Sequence, residues 1–393
     1  MRLHRGIRQV SRMVFAAALS LAAGGAWSLL ATCGPFTDVV ADVFCPFVLE
    51  IFYLEITTGT TATTYDPTSN VSRLQMAAFL SRTVDRTLLR GSRRAALNQF
   101  WTVRGEVNLG VTNVGTDPFN LAADGADIWV ANNVSGTVSR VRASDGLLLQ
   151  TWTGAGAAFD LVAAMGHVFV TGNLTPGKLY QIDPAPAGGS VTTVATNLGG
   201  DARGITFDGA RLWTANRGSS SVSIISPQPA PPYIVQTVTA GFSGPFDTLY
   251  DGTNIWITDF TAGSLLKLDG NGGVLQTVTV GAFPTSAVFD GNNIWVPNNG
   301  SNSVSVVRPA TGAVLATLTG NGLNSPNTVS FDGQRVLVTN SALGFEGASI
   351  WKAADFTPIV FISTPMSSSP AGTCSDGIHF WVALASTNQI IRF

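Results

Sequence analysis

Polar side chains occur at two kinds of position where they could bind a ligand. One set ends a short apolar segment in successive sequence units: Asn132, Asn173, Asn216, Asp259, Asn298 and Asn340. The other set follows the first residues of a different apolar segment: Asn120, Asp160, Arg203 and Asp247. Amides, carboxylates and a guanidinium can bind a polar ligand, and their oxygens can also bind a cation. The competing interpretation is that Asn and Asp satisfy backbone groups of loops at strand ends.

Residues suited to acid–base catalysis are few. From Phe100 onward the chain has two histidines, His167 and His379, and two glutamates, Glu106 and Glu346. Both histidines follow an expected hairpin, at the opposite end of the unit from the polar sets. General acid–base catalysis needs groups within hydrogen-bond reach, so we predict no catalytic residue. No cluster of His and Cys indicates a metal, and no cofactor is expected.

A repeat of about 42 residues positions these side chains. Glycine recurs in one local frame at Gly125, Gly166, Gly209, Gly252, Gly291, Gly333 and Gly377. In the unit from Pro284 to Gly320, turns separate four short apolar segments, and Asp290-Gly291 is a strong hairpin signal. We name these strands A to D in chain order. Four strands per period of this length predict a β-propeller, here mainly β and seven-bladed, with four-stranded antiparallel blades.

The two ends of the repeat region are expected to meet. After Gly377 only 16 residues remain, enough for strands B and C of a seventh blade. We therefore predict that residues 101–110 supply its strand D and close the ring, which removes two exposed sheet edges. The tryptophans four positions after most of the repeated glycines are expected to fill the wedges between blades.

A propeller built in this way places the polar sets around one mouth of the central channel. The start of strand A and the end of strand B lie on the same rim of a meander blade. The least repeat-like members are Asn120, Asp160, Arg203, Asp247 and Asp259. A divalent cation in the central channel is possible, although none is required.

Residues 289–307 and the equivalent segments of other units resemble the YVTN-type and NHL-like repeats of bacterial propeller proteins. The sequence of residues 289–307 is FDGNNIWVPNNGSNSVSVV. The resemblance covers residues 100–393 and is specific for the fold. Two groups of metal-dependent propeller enzymes, the streptogramin lyases and the gluconolactonase-like lactonases, provide the alternative function. The lactonases hold their metal with Glu, Asn and Asp at the channel, whereas neither Glu106 nor Glu346 begins a strand A here.

The first 32 residues have the pattern of a signal peptide. Four arginines between Arg2 and Arg12 precede an uncharged apolar stretch, residues 14–31. A retained membrane anchor is the alternative. Cys33 could carry a lipid, or it could form a disulfide with Cys45 outside the cytoplasm. Cys374 is expected to be a buried thiol. We expect export to the cell surface, periplasm or extracellular space.

Residues 33–99 are predicted to be a helical module followed by a basic helical linker. Residues 36–86 resemble a single surface-layer homology (SLH) module, with a second helix starting near Ser72 and Met76, Phe79 and Leu80 directed inward. The resemblance implies attachment to a cell-wall polymer or envelope component through Asp66, Ser72 and Arg73. Leu74-Gln75 stand where the family usually has Ala-Glu, and a generic docking module is the alternative.

Charge excludes one class of partner. Residues 101–393 contain 12 basic and 18 acidic side chains, a net charge of −6, whereas nucleic-acid binding needs a basic surface. Membrane contact is expected only through an uncleaved signal or a lipid anchor. The sequence thus predicts an exported, non-catalytic propeller that binds a protein or glycan through one face, with its N-terminal module as the attachment element.

Overall fold

The computed structural model describes residues 33, 35–39, 45, 48, 51–52, 56–89, 110–185 and 188–393. The predicted signal peptide, residues 1–32, and most of the predicted basic linker therefore lie outside the described residues. The chain divides into two compact units, Met1–Trp101 and Thr102–Phe393. We describe each unit by itself.

Residues 110–185 and 188–393 form seven sheets arranged as propeller blades. In chain order the strands are β1 (Gly110–Asn113), β2 (Pro118–Ala123), β3 (Asp127–Asn132), β4 (Thr137–Arg142), β5 (Leu148–Thr153), β6 (Ala158–Ala164), β7 (His167–Gly172), β8 (Gly177–Ile182), β9 (Gly189–Ser190), β10 (Thr192–Leu198), β11 (Ala202–Phe207), β12 (Leu212–Asn216), β13 (Ser221–Ser226), β14 (Ile234–Val238), β15 (Pro245–Tyr250), β16 (Ile255–Asp259), β17 (Ser264–Leu268), β18 (Val274–Thr279), β19 (Val288–Phe289), β20 (Ile294–Asn298), β21 (Ser303–Arg308), β22 (Ala313–Leu318), β23 (Pro326–Phe331), β24 (Arg335–Asn340), β25 (Gly347–Lys352), β26 (Pro358–Ser363), β27 (Pro370–Ser375), β28 (Phe380–Leu384) and β29 (Gln389–Arg392).

Blades 1 to 7 consist of β2–β5, β6–β8 with β10, β11–β14, β15–β18, β19–β22, β23–β26, and β27–β29 with β1. The short strand β9 pairs in parallel with β5 and adds a fifth strand to blade 1. The predicted seven-bladed propeller with four-stranded antiparallel blades is confirmed, with this one addition.

The N-terminal strand of the propeller closes the ring, as the sequence predicts. Strand β1 pairs antiparallel with β29, from Gly110 opposite Arg392 to Asn113 opposite Gln389. The pairing lies slightly later in the chain than predicted, because only a short loop separates β1 from strand A of blade 1. Of the predicted segment 101–110, Gly110 belongs to this strand, and residues 101–109 lie outside the described residues.

In blades 1, 3, 4, 5 and 7 the Asp-Gly pair forms a hairpin that also fixes the following tryptophan. In blade 5, Asp290 Oδ1 accepts the backbone N–H groups of Asn292 and Asn293, and its Oδ2 accepts Nε1–H of Trp295 at 2.7 Å. Gly291 has φ +93°, a conformation that side chains disfavour. Equivalent bonds to a buried indole are made by Asp124, Asp208, Asp251 and Asp376. The tryptophans are therefore scaffold residues, as predicted.

The N-terminal unit contains one long described helix, α1 (Arg73–Leu89). Ser72 Oγ accepts the backbone N–H of Gln75 at 3.2 Å, and Gln75 Oε1 accepts that of Ser72 at 2.8 Å, a capping box. The prediction that Met76 and Leu80 point inward is wrong, since they are 47% and 60% exposed. Phe79 alone of the three packs on the small cluster around Ile56.

Cys33 and Cys45 form a disulfide next to the buried Phe36. Cys374, in the propeller, is a buried free thiol, as expected. Burial raises the pKa of that thiol, and the negative charge of Asp376 raises it further. Among the described residues, no helix is long and apolar enough to cross a membrane.

Candidate functional site

The amides at the ends of the B strands are buried inside their blades. Nδ2 of Asn298 donates to the hydroxyls of Ser303 and Ser305 at 3.2 and 3.0 Å, and its Oδ1 accepts the backbone N–H of Gly281 at 3.0 Å. Five residues that end a strand B, four amides and one carboxylate, are only 0 or 1% exposed: Asn132, Asn216, Asp259, Asn298 and Asn340. The four amides donate to hydroxyl groups of strand C, whereas Asp259 accepts the backbone N–H groups of Ser243, Gly244 and Ala262. None of the five lines the central cavity.

Asn173 occupies a different position from the other amides. The residue that ends strand B of blade 2 is Gly172, which pairs with Ala158 as Asn132 pairs with Pro118. Asn173 is the first residue of the following turn, where its N–H bonds to Ala157 O. The predicted end of strand B in this shorter unit was therefore wrong by one residue.

The central cavity brings together three of the predicted site residues. It has a volume of about 90 Å³, and residues from strand A of all seven blades line it, including Asn120, Asp160 and Asp247. Each carboxylate bridges two blades, since Asp160 accepts the N–H of Ile205 at 2.9 Å and Asp247 accepts that of Ala287 at 3.2 Å.

Glycine at position 204 makes room for one of these carboxylates. A Cβ at Gly204 would overlap both Asp247 Oδ1 and the Asp247 backbone. The close approach lets the carboxylate lie between blade 3 and blade 5 while it also accepts the N–H of Thr248 at 2.8 Å. Strand A of blade 3 therefore carries no side chain at the place where its neighbours direct one into the cavity.

The two cavity carboxylates resist ionisation. Burial raises the pKa of Asp160 to about 6, although the N–H groups of Ile205 and Leu161 and the Asn120 side chain oppose that rise. Burial also raises the pKa of Asp247 well above its ordinary value, and the negative charge of Asp160 raises it further. The pair therefore retains protons at mildly acidic pH, where isolated aspartates would be ionised.

Arg203 does not join these carboxylates. Its Nε donates to Asp201 Oδ2 at 3.0 Å, and its guanidinium lies over the rings of Phe159 and Phe246, 5.0 and 4.7 Å from their centroids. The predicted polar set thus separates into two layers. Asn120, Asp160 and Asp247 are in the cavity, whereas Arg203 lies among aromatic rings at the mouth.

Those rings continue into a row that we call the aromatic arc, which consists of Phe119, Phe159, Phe246, Phe260 and Phe283 with Arg203 and Arg217. Successive ring centroids along it are 4.3, 6.4, 5.6 and 4.8 Å apart. Arg217, in the B–C turn of blade 3, places its guanidinium 4.3 Å from the Phe260 centroid and 5.7 Å from that of Phe246. Aromatic and guanidinium groups therefore alternate along blades 2 to 4.

The arc breaks the sevenfold repeat. The second residue of strand A is Phe119, Phe159, Arg203 or Phe246 in blades 1 to 4. In blades 5 to 7 that residue is small or polar, namely Thr285, Asn327 or Ala371. A propeller scaffold has the same packing requirement in every blade, so large side chains on one side of the mouth are not explained by the fold.

Phe283 gives a second indication that the arc has a role beyond packing. It has φ +56° and is 47% exposed. Left-handed backbone is costly for a bulky side chain. The equivalent residues in other blades, identified by the same bond to the B–C turn, are small or polar: Asp117, Ala157, Asp201, Ser325 and Ser369. Gly300 leaves space for this ring, because a Cβ there would overlap it.

The sequence contains a signal for part of the arc, in the phenylalanines that precede the candidate polar residues. Phe119, Phe159 and Phe246 each stand directly before a candidate polar residue and are absent from the equivalent positions of blades 5 to 7. Arg217 and Phe260 each begin a B–C turn, and Phe283 lies in the loop before strand A, at positions that recur in every blade. The repeat spacing does not show that large side chains at these positions would meet across blades.

The two histidines of the propeller are at the other rim. His379 lies in the A–B hairpin of blade 7, 3.4 Å from Asp376 Oδ2, and His167 begins strand β7. In the part of the chain that the structure describes, no group of three or more His, Cys, Asp or Glu side chains is arranged to hold a metal.

Comparison with known proteins shows the fold. No protein-family model matches the chain, and no curated protein matches it either. Among solved structures, a virginiamycin B lyase from Staphylococcus aureus is 14% identical with TM-score 0.61, covering 72% of this chain and 97% of the lyase. Hydrazine synthase from Kuenenia stuttgartiensis is 16% identical with TM-score 0.60, covering 74% of this chain and 98% of its own.

The WD40 propeller domain of Doa1 is equally similar, with 14% identity and TM-score 0.60, over 73% of this chain and 95% of that domain. Two of these structures are named as enzymes and the third as a propeller domain. At such low identity the similarity extends to the backbone alone. We conclude that the chain shares the β-propeller fold with these proteins.

Proposed function

We propose that this chain is an exported, non-catalytic propeller that binds a partner protein through the aromatic arc. The observation that carries the proposal is the row of five phenylalanines and two arginines at one side of the channel mouth. Aromatic residues and arginine are enriched at protein interfaces, where a few of them account for most of the binding energy.

The surroundings of the arc also favour a protein over a glycan. Phenylalanine offers an apolar face and no hydrogen bond. The nearby oxygens of Asp160 and Asp247 already accept backbone N–H groups. The exposed ring of Phe283 offers no polar partner to sugar hydroxyls, whereas an apolar side chain of a protein would cover it. A glycan ligand is accordingly the less favoured form of this proposal.

Export and attachment are the other parts of the proposal. The arginine-rich start with its uncharged apolar stretch supports export, and the disulfide between Cys33 and Cys45 is compatible with it. For attachment, Asp66 and Arg73 are exposed and available to an envelope polymer, whereas Ser72 caps α1. Of the three residues that the SLH resemblance indicates, we therefore propose Asp66 and Arg73 as the contacts.

The binding role is tested with a variant of the full chain in which Phe260 and Phe283 are both replaced by Ala. Proteins retained from an envelope fraction are purified, and their affinity for each form is measured by calorimetry. We expect the variant to bind at least about tenfold more weakly, since truncation of a central interface aromatic costs about 2 kcal/mol.

The matched control replaces Val314 and Leu315 by Ala. These side chains are also apolar and exposed, at 42% and 38%, but they lie on the outer strand of blade 5. Equal affinity of a purified partner for wild type, arc variant and control would refute the binding role of the arc. Attachment is tested separately, by pelleting the full chain and its Asp66→Asn/Arg73→Gln variant with purified cell-wall polymer. Equal pelleting of the two would refute that part.

A further inference from the structure

We propose that the partner presents an acidic polypeptide segment to the arc, with a carboxylate held by Arg203 and Arg217 and an apolar side chain stacked on Phe260 and Phe283. This inference rests on the proposed function and adds the chemistry of the ligand. It is argued from the charge balance at the mouth, the geometry of the two guanidinium groups and the apolar surface beside them.

The mouth of blade 3 has more positive than negative charge. Asp201 is the carboxylate paired with Arg203, at 3.0 Å. Arg217 has no salt bridge with a residue that the structure describes, although Asp201 is near enough to influence it. Burial lowers the pKa of Arg217, and the positive charge of Arg203 lowers it further. Two guanidinium groups that share one carboxylate repel each other, and a second carboxylate would relieve that repulsion.

Stacking prepares the guanidinium groups for such a ligand. Arg203 lies over two rings and Arg217 over two, with Phe246 shared between them. A guanidinium whose face rests on an aromatic ring keeps its N–H edge available, and that edge matches the two oxygens of a carboxylate. Restricting the arginines before binding also reduces the entropy that a ligand would otherwise have to overcome.

The rim offers further apolar surface for a polypeptide. Leu343 and Phe345, in the B–C loop of blade 6, are 80% and 61% exposed, and Met366, in the loop before blade 7, is 82% exposed. These loops lie on the same rim as the arc, since both adjoin the end of strand B or the start of strand A. A protein that engages the arc can therefore reach apolar contacts across the mouth, which a short glycan would not use.

The experiment measures binding of three fluorescent probes to the full chain by anisotropy. One peptide alternates glutamate with phenylalanine and leucine, a matched peptide has glutamine in place of glutamate, and polygalacturonate serves as an anionic glycan. We expect the glutamate peptide to bind at least about tenfold more tightly than the glutamine peptide, the difference expected for one charge-assisted hydrogen bond. High salt should reduce this difference.

Three variants assign the effect to the arc. Arg217→Gln should remove most of the preference for glutamate, and Arg217→Lys should restore part of it, because lysine keeps the charge but not the planar fork. The control is Arg308→Gln, which makes the same change in charge at an exposed position at the end of β21, on the opposite rim. Arg308→Gln should leave the preference intact. Melting curves establish that each variant is folded.

Each other outcome contradicts the inference in a distinct way. Equal binding of the two peptides would overturn the inference, and so would equal losses in Arg217→Gln and Arg308→Gln. The proposed function would still stand if Phe260→Ala weakened binding of both peptides. Preferred binding of polygalacturonate would indicate a glycan ligand instead. Failure of all three probes to bind would count against the acidic segment. If a purified partner protein also bound Phe260→Ala normally, the proposed function would fail with it.

Discussion

Asp160 and Arg203 stand in equivalent sequence contexts, one or two residues into strand A, yet the structure places them in different surroundings. Asp160 lines the central cavity, where burial raises its pKa to about 6. Arg203 points to the mouth, where two aromatic rings and Asp201 hold it. Asp160 is the third residue of its strand A, where blade 3 has Gly204, whereas Arg203 is the second residue of strand A in blade 3.

The first prediction concerns the cavity carboxylates and pH. A carboxyl group whose pKa is higher in the folded than in the unfolded protein contributes stability below its ordinary pKa, and that contribution is lost as pH rises through the folded value. For Asp160 the window runs from 3.8 to about 6. We expect the Asp160→Asn variant to lose less stability than the wild type over this window, by up to about 1.4 kcal/mol per pH unit.

The measurement is the free energy of unfolding in urea at several pH values for both proteins. A constant offset between them is uninformative, because Asn also alters the bonds to Ile205 and Leu161. The slope against pH is the diagnostic quantity. Asp269→Asn serves as the control, since backbone N–H bonds lower the pKa of that exposed turn residue. Stability curves of wild type and Asp160→Asn that stay parallel across the window would contradict the prediction.

Among the elements, the A–B hairpin performs the same task in blades 1, 3, 4, 5 and 7. Its aspartate satisfies two backbone N–H groups and a buried indole N–H, and its glycine adopts a positive φ. The end of strand B contributes a second repeated device, the buried amide that bonds strand C and the preceding loop. Both devices explain why Asp-Gly, Trp and Asn recur together: each buried polar group needs its partner at a fixed distance.

The second prediction compares two turn aspartates. Asp290→Ala removes two backbone bonds and leaves the buried Nε1 of Trp295 without an acceptor, which should destabilise the propeller by about 2–4 kcal/mol. Asp269→Ala removes two backbone bonds in an exposed C–D turn, where water replaces them, and should cost clearly less stability than Asp290→Ala. Urea denaturation measures both. Similar losses in the two variants would show that the indole bond contributes little.

At the scale of the whole molecule, ring closure joins the two ends of the propeller. Strand β1 completes blade 7 through its pairing with β29, and Thr112 Oγ1 donates to Gly146 O of blade 1 at 2.6 Å. Without β1 the outer edge of β29 would be open, and open strand edges favour aggregation. The same circular arrangement brings strand A of every blade to one central cavity and so places residues of blades 1 to 4 side by side.

The third prediction tests closure with two shortened chains. One begins at Thr102 and keeps β1, and the other begins at Val114 and lacks it. We expect the chain that begins at Val114 to melt several degrees lower and to associate, because it loses a strand and exposes an edge. Calorimetry and light scattering measure the two effects. If both chains melted alike and stayed monomeric, β1 would not be needed for closure.

Much of the propeller was predictable because its determinants are local and repeated. The Asp-Gly hairpins, the four strands per unit, the buried tryptophans and the need for a closing strand all follow from residues a few positions apart. The predicted position of Asn173 at the end of strand B was wrong, because one residue is missing from that unit and every later position in it is shifted. The prediction that Met76 and Leu80 point inward was also wrong, because helical spacing indicates an apolar face but not whether another element covers that face.

The sequence by itself determined the architecture and the rim on which the unusual polar residues lie. The tertiary structure decided which of them meet. Asp160 and Asp247 come together only because strand A of each blade faces one axis. The arc likewise joins Arg217 and Phe260, from the B–C turns of blades 3 and 4, to Phe283 in the loop before blade 5. The physical reason is that repeated local contacts encode a blade, whereas contacts between side chains of different blades depend on how the ring closes.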